Sequence, residues 1–382
     1  MGSQIRFMPL GGGQQVGASC YYLQLGDNNI ILDAGTGFRN GVIYNPIFST
    51  LETLLHSMTQ IGQIYISHAH IDHTGYLIEL MSQTSNASIY MTEITKALSE
   101  LQIYDKIYFN SKKKTIEEKR LKAKMNLDKI TLVSYMRPLS FKDYTVTFYP
   151  AGHIPGAMMT LFGFNRRKIL YTGDYSIDAS ALSPACSDLS NEKIDTIIMC
   201  GLHAKHPDYK KKSDKIYTQA SKTLDYVYKY KKSIQCIVSQ LSKGVEFLQV
   251  LNEKNINHIP IFIEQNIMQV VNKLEQLGIR IMSADNRQLI DNIPNYPHIL
   301  LSSQQTTRNF YYSENINVDF TLHEDFSQMK KFIESINPRQ VVLVHCASPH
   351  SEYDITIEQE IMLNSDCKAK FIFAEDQETY NL

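Results

Sequence analysis

A chain of 382 residues with 43% hydrophobic and 20% charged positions has the apolar material for a sizeable core, which excludes a disordered protein. Lys+Arg 38 against Asp+Glu 39 leaves a net charge of −1, so no global positive field exists and any nucleic-acid surface has to be a local patch. The opening MGSQIRFMPLGGGQQVG lacks the apolar centre of a secretion signal, and no apolar run is long enough for a membrane span. Six Cys at 20, 186, 200, 236, 346 and 367 form no CxxC pair, so the expectation is a soluble cytoplasmic protein with reduced thiols and no membrane partner.

In chain order, the first predicted strands are Ile5–Met8, Cys20–Leu25 and Asn29–Asp33, the last running apolar into a carboxylate. Gly11–Gly13 lacks the Gly-Lys-Ser/Thr ending of a phosphate loop and reads as a turn. Pro46–Met58 has helical spacing, and Gln63–Ile66 is a β-branched strand that ends at Ser67-His68. The charged stretch Thr92–Leu127 should be mostly helix with a solvated face, its Lys112–Lys114 run being a charged loop or a phosphate contact. Strands return at Tyr144–Tyr149, Met158–Phe164, Lys168–Tyr171 and Asp195–Met199.

From Lys205 to Lys232, nine Lys and three Asp are interleaved with Tyr209, Tyr217, Tyr226, Tyr228 and Tyr230. Two readings stay open: a solvated helix face with tyrosines as core anchors, or a strip that follows a phosphate backbone with rings for base stacking. An alternating pattern follows: strand Ile234–Val238, helix Gly244–Leu251, strand Ile259–Ile263, helix Ile267–Leu277 and strand Ile299–Leu301. It predicts a parallel-sheet insert over about 205–318, between a first segment 1–204 and a return segment 319–382. The return segment carries a helix at Ser327–Ile336 and strands at Val341–Val344 and near Lys370–Phe373.

The chemistry concentrates at Ser67-His68-Ala69-His70-Ile71-Asp72-His73-Thr74-Gly75, where an apolar strand runs into three imidazoles and a carboxylate. In extended backbone His68 and His70 point to the same side and can share one metal ion, while the following turn re-aims Asp72 and His73 at a second. A zinc ion takes about four ligands, so other strand ends must contribute. His153 after Ala151-Gly152, Asp174 after Thr172-Gly173 and His345 after Val344 are the candidates, Asp174 as a carboxylate able to bridge two ions. Asp33, also at a strand end, suits a carboxylate that orients a ligating histidine.

These residues, in type and order, resemble the metallo-β-lactamase superfamily. The tail Thr321-Leu-His323-Glu-Asp-Phe, followed by Val341-Val-Leu-Val-His345, is similar to its β-CASP branch, which contains ribonuclease J and the mRNA 3′-end cleavage endonuclease subunit. The resemblance implies an α/β fold: an αββα sandwich with an inserted α/β β-CASP domain. It implies two Zn²⁺, with Mn²⁺ or Fe²⁺ as alternatives, held by His68, His70 and His153 on one side and Asp72, His73 and His345 on the other. Asp174 and a hydroxide would bridge them, and His323 would protonate the leaving oxygen of a phosphodiester. The expected activity is that of a metal-dependent hydrolase, a ribonuclease acting on RNA, with single-stranded DNA as the alternative substrate.

Four departures from that family bear on function. The strand Asp195–Met199 ends in Cys200-Gly201 where the family has an acid that hydrogen-bonds the histidine matching His323; Asp208, His203 or Glu324 is the expected substitute. Ser242-Lys243-Gly244-Val245-Glu246 stands for a Gly-Arg-x-x-Glu segment, so Lys243 keeps the charge of a substrate contact and loses the planar fork. Gln304-Gln305-Thr-Thr-Arg308 replaces a glycine loop, leaving Arg308 as a second candidate for substrate binding. The insert is also short for the family. Two further readings follow: a catalytically weakened nucleic-acid-binding or partner subunit, as a homodimer or with a paralogue, and a metallo-hydrolase of a small ester, lactone or nucleotide.

Overall fold

The computed structural model describes residues 4–110, 115–209, 214–281, 288–289, 295–303, 314–349 and 354–382. Lys112–Lys114, Gln304, Gln305 and Arg308 lie outside the described residues. The chain divides into two compact units, one of Met1–Asp178, Pro184–Lys210 and His323–Leu382, the other of Ala179–Ser183 and Lys211–Leu322.

In the first unit two seven-stranded sheets form an αββα sandwich. One sheet runs in the spatial order Tyr380–Asn381, Ile5–Gly11, Cys20–Leu25, Asn28–Leu32, Ile61–Tyr65, Ser88–Thr92, Thr131–Val133. The period of two in these strands sorts their side chains between two cores. Phe7, Tyr21, Leu23, Ile30 and Leu32 point inward, to a core shared with Val146, Phe148, Phe162, Ile169 and Val342 of the other sheet. Met8, Cys20, Tyr22 and Ile31 point outward, to a core completed by helices Ser49–Leu55, Leu77–Gln83, Glu93–Asn110 and Ile116–Leu127. Strands buried on both faces have no polar side to show, which is why Cys20–Leu25 reads as an almost unbroken apolar run.

The second sheet has the order Lys370–Phe373, Gln340–Val344, Thr196–Cys200, Arg167–Tyr171, Met158–Phe164, Tyr144–Pro150, Leu139–Ser140. Its four strands from Arg167–Tyr171 to Lys370–Phe373 run parallel, and Tyr144–Pro150 points the same way through two antiparallel steps. The carboxyl ends of these strands therefore meet at one edge of the sandwich, where open α/β sheets present ligand-binding side chains.

The second unit is a five-stranded parallel sheet, Gln288–Leu289, Ile261–Ile263, Ile299–Ser302, Ile234–Ile237, Glu314–Asn317, with helices Lys215–Tyr230, Lys243–Lys254 and Gln265–Gln276. Its limits differ from the 205–318 read from sequence. Residues 205–210 stay with the first unit, where the Lys205 ammonium donates to Gln14 and stands 5.1 Å from the Phe373 ring centroid. At the far end Asp319 pairs with Lys215 at 2.7 Å and Phe320 lies under the Lys243 ammonium, so the second unit extends to Leu322.

The helix expected over Pro46–Met58 spans only Ser49–Leu55. Ile47 N–H donates to Leu10 O and ties the preceding segment to the first strand, and His56 closes the helix with φ 59°. A hairpin of Gly37–Arg39 and Val42–Tyr44, turned by Asn40 and Gly41 at positive φ, and the strand Ser88–Thr92 were not among the expected elements. All six cysteines are free, and no helix among the described residues is long and apolar enough to cross a membrane.

Candidate metal centre

His68 and His70 follow the strand Ile61–Tyr65 in extended backbone, and the helical turn Ile71–Thr74 then swings Asp72 and His73 to a second direction. His153 follows Tyr144–Pro150, Asp174 follows Arg167–Tyr171, Cys200 closes Thr196–Cys200 and His345 follows Gln340–Val344. Gly173 is at φ 55°, and a Cβ there would stand 2.5 Å from that of Ser67; only glycine lets the Asp174 loop cross the His68 strand end. His345 itself sits at φ 54°, a left-handed conformation that is uncommon outside glycine and concentrates at functional sites.

The side chains converge in two groups. His70 Nδ1 lies 3.1 Å from His68 Nε2 and 3.2 Å from His153 Nε2, and Asp174 Oδ2 lies 3.7 Å from both of the latter nitrogens. Asp72 Oδ2 lies 3.9 Å from His73 Nε2 and 3.9 Å from His345 Nε2, and Asp174 Oδ2 reaches His73 Nε2 at 3.5 Å. Candidate ligand atoms within each of the sets His68/His70/His153/Asp174 and Asp72/His73/His345 lie within 4.8 Å of one another. Asp174 belongs to the first set and also approaches His73 of the second.

The donor set fits a pair of transition-metal ions. His70 Nδ1, 3.1 and 3.2 Å from the two other imidazole nitrogens, has the spacing of atoms around one tetrahedral cation, whose ligands at about 2.0–2.1 Å stand roughly 3.3 Å from each other. Asp174 Oδ1 is buried with no hydrogen-bond partner among the described residues, an orphaned lone pair of the kind a cation satisfies. Imidazole and carboxylate donors suit Zn²⁺ and also Mn²⁺ or Fe²⁺.

The electrostatics follow from crowding in a dry place. Burial, reinforced by neighbouring histidine charge, holds His68 well below the usual imidazole range, and burial lowers His70 as well. A neutral imidazole has a lone pair to give. His73 goes the other way: burial opposes its charge, but Asp174, Asp33 and Asp72 outweigh it and raise it well above the ordinary value. Burial likewise acts against the Asp174 carboxylate, and the charges of His345, His73 and His323 overcome it and hold the group well below the usual range.

Around the candidate ligands stands a set of hydrogen-bonding groups. Asp33 accepts from Ser67 N–H at 2.6 Å, Ser67 Oγ at 2.7 Å and Tyr171 OH at 2.5 Å, and meets His73 Nδ1 at 2.7 Å. That contact turns His73 Nε2 toward Asp174. Ser67 Oγ is 3.0 Å from His68 Nδ1, and Ser19 Oγ is 3.0 Å from His345 Nδ1. Ser19, Ser67 and Tyr171 were not singled out from the sequence, because a hydroxyl carries no signal until the fold brings an imidazole to it.

His323 Nδ1 stands 3.7 Å from Asp174 Oδ2, and its ring is 4.7 Å from that of His153. Cys200, Asp174 and His323 form a third convergent set, with candidate atoms within 4.8 Å of one another. Burial, with Asp174 beside it, raises the Cys200 thiol well above its ordinary value, so the group facing His323 is an uncharged S–H. Glu324, a sequence candidate for the missing acid, turns Oε1 to Ile177 N–H at 3.2 Å. His203 stacks on Tyr209 at 3.9 Å, and Asp208 is exposed. Lys243 belongs to the second unit, its ammonium 5.7 Å over Phe320 and its pKa lowered by burial.

Comparison with known proteins bears on this geometry. Residues 6–249 match the family model described as anti-Pycsar protein Apyc1. A probable RNase MJ4 of Methanocaldococcus jannaschii is 27% identical, the match covering 68% of this chain and 59% of that protein. Cleavage and polyadenylation specificity factor subunit 3 of Dictyostelium discoideum is 24% identical over 89% of this chain and 53% of its own length. Transcription termination factor FttA of Methanothermobacter thermautotrophicus is 27% identical over 77% of this chain and 47% of its own. The chain spans about half the length of these relatives. A crystal structure of a protein of unknown function from Enterococcus faecalis V583 shares the fold, with a TM-score of 0.67 and 14% identity over 99% of this chain and 100% of that one. The chain belongs to the family of the anti-Pycsar protein Apyc1, and its curated relatives are members of the β-CASP branch of the metallo-β-lactamase superfamily.

Proposed function

We propose that this chain is a metal-dependent phosphodiesterase that hydrolyses RNA, with His68, His70 and His153 holding one ion, Asp72, His73 and His345 the other, and Asp174 shared. The observation that carries the reading is the approach of Asp174 Oδ2 to four imidazole nitrogens, between 3.5 and 3.7 Å, from two different strand ends and the His323 segment. A bound ion pair would supply a water acidic enough to attack near neutral pH and offset the phosphate charge. Asp33 and Ser19 fix the rings of His73 and His345, so that their Nε2 atoms face the site. His323, whose Nδ1 stands 3.7 Å from Asp174 Oδ2, would hand a proton to the departing oxygen, which a poor leaving group requires. RNA as substrate is supported by the relatives, two of which are named as a probable RNase and a cleavage and polyadenylation specificity factor subunit. Reduced thiols and an RNA substrate fit a cytoplasmic setting.

The test is hydrolysis of labelled RNA and single-stranded DNA by the wild type, Asp72→Ala and His323→Ala, with metal analysis of each. The expected result is RNA cleavage by the wild type, lost with metal in Asp72→Ala and lost with metal retained in His323→Ala. DNA cleavage alone would overturn the choice of RNA.

A second reading draws on Cys200. A neutral thiol where the family has an acid brings no charge of its own to His323, which suits either hydrolysis of a small ester, lactone or nucleotide with a better leaving group or a subunit without turnover, paired with itself or a paralogue. Cys200→Glu separates them: a severalfold gain on RNA marks Cys200 as a weakened acid system, and loss of activity marks chemistry adapted to the thiol.

A further inference from the structure

The helix Lys215–Tyr230 buries Ile216, Ala220, Thr223, Leu224 and Val227, one continuous apolar stripe. Its tyrosines are therefore not its anchors. Tyr228 and Tyr230 keep 52% and 55% of their surface in water, at the end of the helix where Lys229, Lys231 and Lys232 also cluster. Lys231 stands 4.4 Å over the Tyr228 ring and Lys229 stands 5.3 Å over that of Tyr230. Tyr226 and Tyr230 lie 5.1 Å apart. Lys222, Asp225, Tyr226, Tyr228, Lys229 and Tyr230 line an open concavity of about 600 Å³. In a chain whose charges otherwise nearly cancel, four Lys against one Asp within 222–232 is a local positive patch.

We propose that this end of the helix is a binding surface for single-stranded RNA, separate in sequence from the metal centre. The chemistry selects that ligand. A strand of RNA alternates aromatic faces with phosphates, and the patch alternates phenol rings with ammonium groups. Bases stack on tyrosine without regard to sequence, but only when unpaired. The core of a protein interface is depleted in lysine, whereas here the ammonium groups sit over the rings themselves. The choice of RNA over another single strand rests on the reading of the metal centre given above.

The experiment is a titration of the full-length, metal-loaded protein with a fluorescent 20-nucleotide RNA, read by anisotropy at several salt concentrations beside hydrolysis of bis-p-nitrophenyl phosphate, which has no base. Tyr228→Ala with Tyr230→Ala should weaken RNA binding about a hundredfold, and the Phe pair should restore it, since each stacked base is worth about tenfold. Lys229→Glu with Lys231→Glu should flatten the dependence of log K on log salt by about one unit. Hydrolysis of bis-p-nitrophenyl phosphate should be unchanged in every variant, which also reports a folded, loaded protein. Unchanged RNA affinity and salt slope would overturn the proposal, as would unchanged RNA affinity with altered self-association, the mark of a protein interface. If the wild type cleaves RNA but the variants bind it equally well, only this surface falls. If binding is lost as expected in a protein that hydrolyses no RNA, the surface stands and the catalytic reading falls.

Discussion

Asp33 in the first unit and Glu246 in the second are both nearly inaccessible to water, at 0% and 1% exposure, and both collect hydrogen bonds. Asp33 gathers three protein donors and then His73, so its last contact is an imidazole that faces the shared carboxylate. Glu246 spends its oxygens on Ser180 Oγ at 2.6 Å and Ala181 N–H at 2.9 Å, contacts that hold a turn. Burial raises Glu246 to about 7, with those hydrogen bonds acting against the rise. The contrast teaches what separates a site from a scaffold. The first unit concentrates opposite charges against one another and leaves Asp174 Oδ1 without a hydrogen-bond partner among the described residues, whereas in the second both oxygens of the buried Glu246 meet donors.

That contrast can be broken experimentally, most severely at its centre. Asp174→Ala should lower RNA hydrolysis on the order of a thousandfold, the equivalent of losing several kcal/mol of charge stabilisation, and should lower bound metal by elemental analysis. Full metal content with unchanged turnover would remove Asp174 from the account. At Glu246 the effect is on stability. Its folded pKa lies above its unfolded value of 4.5, so its contribution is fully present below that value and is lost as pH rises through about 7. The loss amounts to about 3 kcal/mol, and Glu246→Gln, which cannot ionise, should show a flatter decline in denaturant stability between pH 5 and pH 8.

Asp33→Asn tests the orienting contact more gently. Metal affinity should fall by about 10- to 100-fold in a competitive chelator titration, with the fold intact. The smallest expected effect is at Glu324, whose carboxylate ties the His323 segment to Ile177, while Gln328 donates to Asp178 of the same loop. Glu324→Ala should slow RNA cleavage severalfold and leave bis-p-nitrophenyl phosphate, whose leaving group needs little protonation, almost unaffected; Glu324→Gln, which keeps an acceptor, should behave as wild type. Equal losses on both substrates would make Glu324 a plain structural residue.

How much of this was legible in the sequence depends on where the information resides. Local patterns were readable: the apolar strand into His68-Ala-His70-Ile-Asp72-His73, the β-branched run into His345, and the αβ alternation of the second unit. What depends on distant contacts was not. The meeting of Ser67 with Asp33, and of Ser19 with His345, arises only when separate strand ends share an edge. The helix at Ser49–Leu55 is shorter than its periodicity suggests because Ile47 bonds to the first strand instead. The hairpin at Asn40-Gly41 did carry a turn signal, but Phe38 and Val42 on its arms are exposed, so no buried face marked it as a strand pair.

The left-handed turn at His345 sets an order of events during synthesis. Its backbone N–H donates to Gly12 O at 2.6 Å, so nearly the first and nearly the last strand of the first unit are joined at that residue. While a ribosome is still making the chain, the Asp72 and His73 pair has Asp174 near it but no His345 until Gln340–Val344 has emerged and docked. A chain that ends before His345 therefore lacks one of the three side chains of the Asp72, His73 and His345 group.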